Sequence, residues 1–167
     1  SSRSERYGTA FLRTALRALL QGDVPGVQAA FEDTTNRLMA RDVTNADVST
    51  RVRIGKARAD YAQTRGQRRE AHLEAAWQAG LDFRVGDRID LYVRAGAGVS
   101  VLTDPDGRDY DAVHYRAALV QNYATRLRKA LDPADWEQLF GTRGAGLFDR
   151  PVAEMRVQWR PLSAVDR

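Results

Sequence analysis

Residues 86–103 read Gly86-Asp-Arg-Ile-Asp-Leu-Tyr-Val-Arg-Ala-Gly-Ala-Gly-Val-Ser-Val-Leu-Thr103, and this stretch decides the fold class. Ile89, Leu91 and Val93 alternate with Arg88, Asp90, Tyr92 and Arg94. That is the two-residue period of a strand with one dry face and one wet face, so the first set is expected inward and the second outward. Ala95-Gly96-Ala97-Gly98 reads as a turn, and Val99 to Thr103 returns as the antiparallel partner. Asp104-Pro105-Asp106-Gly107 has the composition of a second turn.

Working outward, the same period appears upstream. Val52 and Ile54 alternate with Arg51 and Arg53, and Gly55-Lys56 ends the run. Both arginines then point the same way, about 7 Å apart at the usual strand rise, close to the spacing of successive phosphates along one nucleic-acid strand. A short helix holding Tyr61 is expected next, followed by a firmer one from about Gln67 to Ala79 packed through Leu73, Ala76 and Trp77. The first forty residues read as a helical hairpin. Phe11, Leu12, Ala15, Leu16, Leu19 and Leu20 form one apolar stripe, Gly22-Asp23 stops it, and Pro25 suits the first turn of a second helix. Downstream, Tyr115, Leu119, Tyr123 and Leu127 share one face of a long helix from about Asp111 to Ala130. Asp132-Pro133 caps a last short helix carrying Trp136, Leu139 and Phe140. The fold class is therefore α+β, mostly helical with a small antiparallel β-sheet. Residues 1–140 read as one domain and 141–167 as a C-terminal tail without periodicity.

Charge points to a partner. The net charge is +4, and of 26 basic residues only Lys56 and Lys129 are lysine. Residues 51–69 carry Arg51, Arg53, Lys56, Arg58, Arg65, Arg68 and Arg69 against one acid, Asp60. Basic charge concentrated in one stretch is the electrostatic footprint of a polyanion site, and guanidinium forks suit phosphate oxygens. No set of Asn, Gln and Arg on one helix addresses base edges, so the contacts expected are to backbone and independent of sequence. The alternative is a non-catalytic protein-interaction domain that docks an acidic partner on the same basic face.

Little here suggests a catalytic site. There is no cysteine, which excludes disulfides and thiolate metal sites and fits a cytoplasmic protein. No apolar run approaches the ~20 residues of a membrane span. His72 and His114 lie in no metal-ligand spacing. Asp104, Asp106, Asp109 and Asp111 resemble a calcium loop only superficially, because Tyr115 stands where a bidentate Glu belongs. Catalytic and metal residues are expected to be none.

In order along the chain, Asp47-Val48, Arg51-Val-Arg-Ile-Gly-Lys56, Asp60-Tyr61, His72-Leu-Glu-Ala-Ala76, Gly86-Asp-Arg-Ile-Asp-Leu-Tyr-Val93 and Asp109-Tyr-Asp111 with Tyr115 resemble the thumb of family-B DNA polymerases, of the bacterial DNA polymerase II-like kind. Lys56 and Tyr61 match that family's Lys-x4-Tyr spacing, and Leu19-Leu20-Gln-Gly-Asp23 resembles the segment after its palm. The likeness covers roughly residues 3–140. It implies a module of DNA replication or repair that wraps primer–template duplex behind the nucleotidyltransferase centre. The centre itself, with its two divalent metals (Mg), belongs to a palm that precedes such a thumb, and the Ser1-Ser2 start reads as a cut end. By this correspondence the duplex-facing set is Arg51, Arg53, Lys56, Tyr61, Arg65 and His72; Arg68 and Arg69 join it from the basic segment. Gly146-Leu147-Phe148 resembles the Leu-Phe end of a sliding-clamp-binding peptide, without its Gln and with nineteen residues following.

Overall fold

A computed structural model describes residues 4–142, 144 and 146–158. The chain divides into two compact units, Ser1–Tyr7 with Arg37–Tyr115 and Gly8–Asn36 with Arg116–Arg167. The architecture is α+β, as the mixed periods require.

Two helices, α1 (Arg6–Leu20) and α2 (Val24–Met39), form the expected hairpin. The turn between them needs Gly22, whose φ of 70° is open only to glycine at low cost. Asp23 then accepts from the Gly26 amide at 2.9 Å and caps α2. In the second unit Phe11, Phe31 and Phe140 meet edge to face, with centroids 5.0–6.5 Å apart. Phe140 comes from α7 (Pro133–Phe140), which Asp132 caps by accepting from Ala134 N at 2.9 Å.

The helix expected over 111–130 changes pitch along its length. It is α-helical as α6 (Ala112–Ala118), widens to a π turn over Leu119–Tyr123, and tightens to 3₁₀ over Ala124–Ala130. Two local contacts accompany the change. The Tyr123 ring lies against the bare backbone of Gly8, and the Ala124 carbonyl accepts the buried Trp136 indole N–H at 2.8 Å. The segment after Phe140 is also more specifically held than its lack of period implied. Gln138 binds the Arg150 backbone in both directions, Arg150 pairs with buried Asp135, and Met155 is buried.

The first unit holds the sheet. Strands β1 (Thr50–Arg53), β2 (Arg88–Arg94) and β3 (Gly98–Val101) are antiparallel in the order β1-β2-β3. Before β1 stands α3 (Asn45–Val48), a single turn closed by a Thr44–Asp47 capping box that the sequence reading passed over. After β1 come α4 (Arg58–Thr64) and α5 (Ala71–Gln78). Ile54, Tyr61, Leu73, Ala76 and Phe83 form one buried cluster, with Trp77, Leu81 and Ile89 packed against it.

Two expectations change here. Tyr92 is buried rather than outward, and its hydroxyl donates to Asp109 at 2.8 Å. The reason is that residues 109–111 continue alongside β2 where β1 leaves off. Ala95 donates to the Asp109 carbonyl and Asp111 to the Val93 carbonyl, both at 2.9 Å. The helix expected from Gln67 starts at Ala71, because Gln67 and Arg68 both donate back to the Thr64 carbonyl in a turn. Arg68 and Arg69 therefore lie on a connection and not on a helix.

Candidate nucleic-acid interface

The register of β1 on β2 sorts the basic residues. Arg51 faces Asp90 and Arg53 faces Arg88. The bond from Ile54 N to the Asp87 carbonyl, at 2.7 Å, flanks the Arg53–Arg88 pair on one side. That makes both pairs of the non-hydrogen-bonded kind, with Cα atoms about 4.5 Å apart and side chains close.

At Arg51 the opposite residue is an acid, and the two form a fork, Nε to Oδ1 at 3.0 Å and Nη2 to Oδ2 at 3.4 Å. The hydrogen bond to Asp90, and then its charge, raise the Arg51 guanidinium above its ordinary value. The side chain remains 65% exposed. At Arg53 the opposite residue carries the same charge. Both Arg53 and Arg88 are exposed, and neither forms an ion pair among the described residues. Like charges directly opposite on a sheet are destabilising, so the fold gains nothing from this pair.

The other candidates divide as sharply. Lys56 Nζ lies 3.4 Å from Glu70 Oε2 and 3.5 Å from Thr64 Oγ1. Arg65 grips Glu74 with two nitrogens, Nε at 2.9 Å and Nη2 at 2.6 Å. The Tyr61 hydroxyl donates to the same carboxylate at 2.6 Å, and Gln78 Nε2 adds a bond at 3.0 Å. Held first by Arg65 and then by Tyr61, the Glu74 carboxyl drops to about 2. Burial, and then Glu74, push the Tyr61 hydroxyl up. Arg69 reaches Glu74 only at 4.0 Å and is 65% exposed. Arg68 is exposed with no acid beside it among the described residues, and His72 is half-buried at the first turn of α5.

Three sequence expectations are corrected by these contacts. Tyr61 is fully buried, so its ring offers no surface to a duplex; its place is the core beneath α4 and α5. Arg58, counted with the basic run, lies over the Trp77 ring at 4.0 Å and donates to the Leu81 carbonyl at 2.9 Å, which is a packing role. The basic run is not without compensating acids. Asp90, Glu70 and Glu74 come from outside residues 51–69 and neutralise Arg51, Lys56 and Arg65. The reading also missed Arg88, which lies 35 residues from Arg53 in sequence and next to it in space. The signal was present in the strand periods, but only the register turns two separated arginines into a pair.

Leu147 and Phe148, in the second unit, are 93% and 92% exposed. They occupy the tip of a turn closed by Asp149, whose amide donates to the Gly146 carbonyl at 3.2 Å and whose carboxylate accepts from Gly146 N at 2.9 Å. Of the acidic cluster, Asp109 is engaged by Tyr92, Asn45 and Arg94, and Asp111 accepts from His114 N at 3.0 Å. Among the described residues no group of three or more His, Asp or Glu is placed to hold a metal ion. No protein-family model and no curated protein matches the chain.

Proposed function

We propose that this chain binds the phosphate backbone of duplex DNA without reading its sequence, as the thumb portion of a family-B DNA polymerase whose catalytic palm lies outside it. One observation carries the binding reading: Arg53 and Arg88 stand opposite each other on an exposed strand pair with no carboxylate between them. A like-charge pair costs stability in the free protein, and neighbouring phosphates, one at each guanidinium fork, would relieve that cost. Arg68 and Arg69 add exposed charge on the connection before α5. Arg51, Lys56 and Arg65 contribute less, because each would exchange a carboxylate it already holds for a phosphate. The polymerase part of the proposal rests on the resemblance of motif order and spacing along residues 3–140.

Titration of a blunt DNA duplex at several salt concentrations tests the binding. Each phosphate contact contributes about −0.9 to the slope of log affinity against log salt. The variant Arg53→Ala with Arg88→Ala is expected to lose about two such contacts, so its slope should fall by nearly two. An unchanged slope in the variant, or no duplex binding at low salt, overturns the proposal. Tight, salt-insensitive binding to an acidic protein would favour the docking alternative instead.

A further inference from the structure

The register that pairs Arg53 with Arg88 also fixes where the backbone of β1 points. In an antiparallel ladder, residues of non-hydrogen-bonded pairs turn their N–H and C=O groups away from the neighbouring strand. Arg51 and Arg53 are both of this kind, while Val52 and Ile54 bond to β2. β1 is an outer strand of the sheet, so the Arg51 and Arg53 amides face out of its free edge. Among the described residues nothing accepts from either amide.

Edge arginines have a simpler use, since charge on an outer strand discourages pairing with another chain. That explains the side chains but leaves two aligned N–H donors unused. They are separated by two strand residues, about 6.6–6.8 Å, and sit on the same two residues whose guanidinium groups flank the exposed face. Backbone N–H groups are established donors to phosphate oxygens in protein–DNA contacts.

Resting on the duplex-binding reading, we infer that the free edge of β1 is itself a phosphate-binding element, in which the Arg51 and Arg53 backbone amides donate to phosphate oxygens of one DNA strand. The edge supplies a neutral part of the grip that side-chain replacement leaves in place. It carries no charge, so it releases no counterion and adds affinity without adding to the salt slope.

Two variants at one position separate the parts. Arg53→Ala removes the guanidinium and keeps the amide; Arg53→Pro removes both. Proline is tolerated on an outer strand where the N–H faces solvent. Both variants should lose about one phosphate contact from the salt slope. Arg53→Pro should bind about tenfold more weakly than Arg53→Ala at every salt concentration, the loss of one hydrogen bond to a charged acceptor. Amide hydrogen exchange on the unaltered chain decides the matter if the proline variant does not fold. Free, the Arg51 and Arg53 amides should exchange fast while Val52 and Ile54 are protected; with a saturating 20-base-pair duplex, Arg51 and Arg53 should slow by on the order of tenfold or more. Equal affinities for the two variants, or fast exchange of both amides in a saturated complex, overturn the edge while leaving the duplex reading intact. No binding by the unaltered chain removes both.

Discussion

Replacing Arg88 by glutamate should stabilise the fold and weaken duplex binding at the same time. The stability effect can be worked from the strand register. Arg53 and Arg88 face each other as a non-hydrogen-bonded pair, and both are exposed. Two unit charges about 6 Å apart in a water-like dielectric interact by about 0.7 kcal/mol. Physiological salt, with a screening length of about 8 Å, roughly halves that. Turning repulsion into attraction reverses the sign, so the swing is about 0.7 kcal/mol at physiological ionic strength and about twice that near 10 mM salt. The value at physiological salt lies within the measured range for cross-strand charge pairs, and the low-salt value lies somewhat above it. For a chain of this size they correspond to a rise in Tm of about 2–4 °C per kcal/mol. The assay is thermal and urea unfolding of the parent, Arg53→Glu, Arg88→Glu and the double variant, at low and at physiological salt. Each single variant should be more stable than the parent, and the double variant, which restores a like-charge pair, should lose that gain. Duplex affinity should fall in every variant. If the singles are no more stable than the parent at 10 mM salt, or the coupling between the two sites is zero, the guanidinium groups do not face each other and the site loses its basis.

Two further outcomes follow from other contacts. Gly8→Ala puts a methyl group against the Tyr123 ring, 2.6 Å from Cδ2 and closer still to the ring edge. Overpacking of this kind costs about 1–3 kcal/mol or more, against which alanine returns about 1 kcal/mol of helix propensity; urea unfolding should show net destabilisation, and a gain in stability would refute the close approach. Glu74 gives a pH dependence of definite sign: its folded value, about 2, lies below the ordinary 4.5, so what it contributes is present above pH 4.5 and disappears as pH falls toward 2. The stability difference between the parent and Glu74→Gln should therefore shrink across that window, and a difference that is flat from pH 6 to pH 2 would dissolve the Arg65–Tyr61–Glu74 network.

Local pattern was enough for the elements. The alternation Ile89, Leu91, Val93 and the stripe Phe11, Ala15, Leu19 each depend on neighbours within a few residues, and the structure follows them, while Leu16 and Leu20 of the expected stripe stand exposed. What pattern could not supply was which faces a later segment would cover. Tyr92 alternates like an outward residue, yet residues 109–111 return beside β2 and enclose it. Tyr61 shares a spacing with Lys56, yet one side chain is in the core and the other near the surface, because Tyr61 sits on the inner side of α4 while Lys56 precedes that helix.

The candidate site illustrates the same limit from the side of charge. Counting along residues 51–69 finds seven bases and one acid, which reads as a dense cationic run. Folding is not neutral toward such a run: half-buried Lys56 and Arg65 end beside Glu70 and Glu74 from the next helix and its approach, and half-buried Arg58 ends on the Trp77 ring and the Leu81 carbonyl. Of the cations left uncompensated, Arg68 lies on an exposed connection, while Arg53 has its neighbour set by strand register and not by burial. Sheet pairing is decided by the inward faces, where Val52 meets Ile89; the outward residues take whatever partners that register assigns. Arg51 thereby receives an acid and Arg53 a second arginine. A one-residue slip is forbidden by the apolar face, so the Arg53–Arg88 clash cannot be relieved by shifting the strands. It persists in the free protein, and under the duplex-binding proposal phosphates beside the pair would remove it.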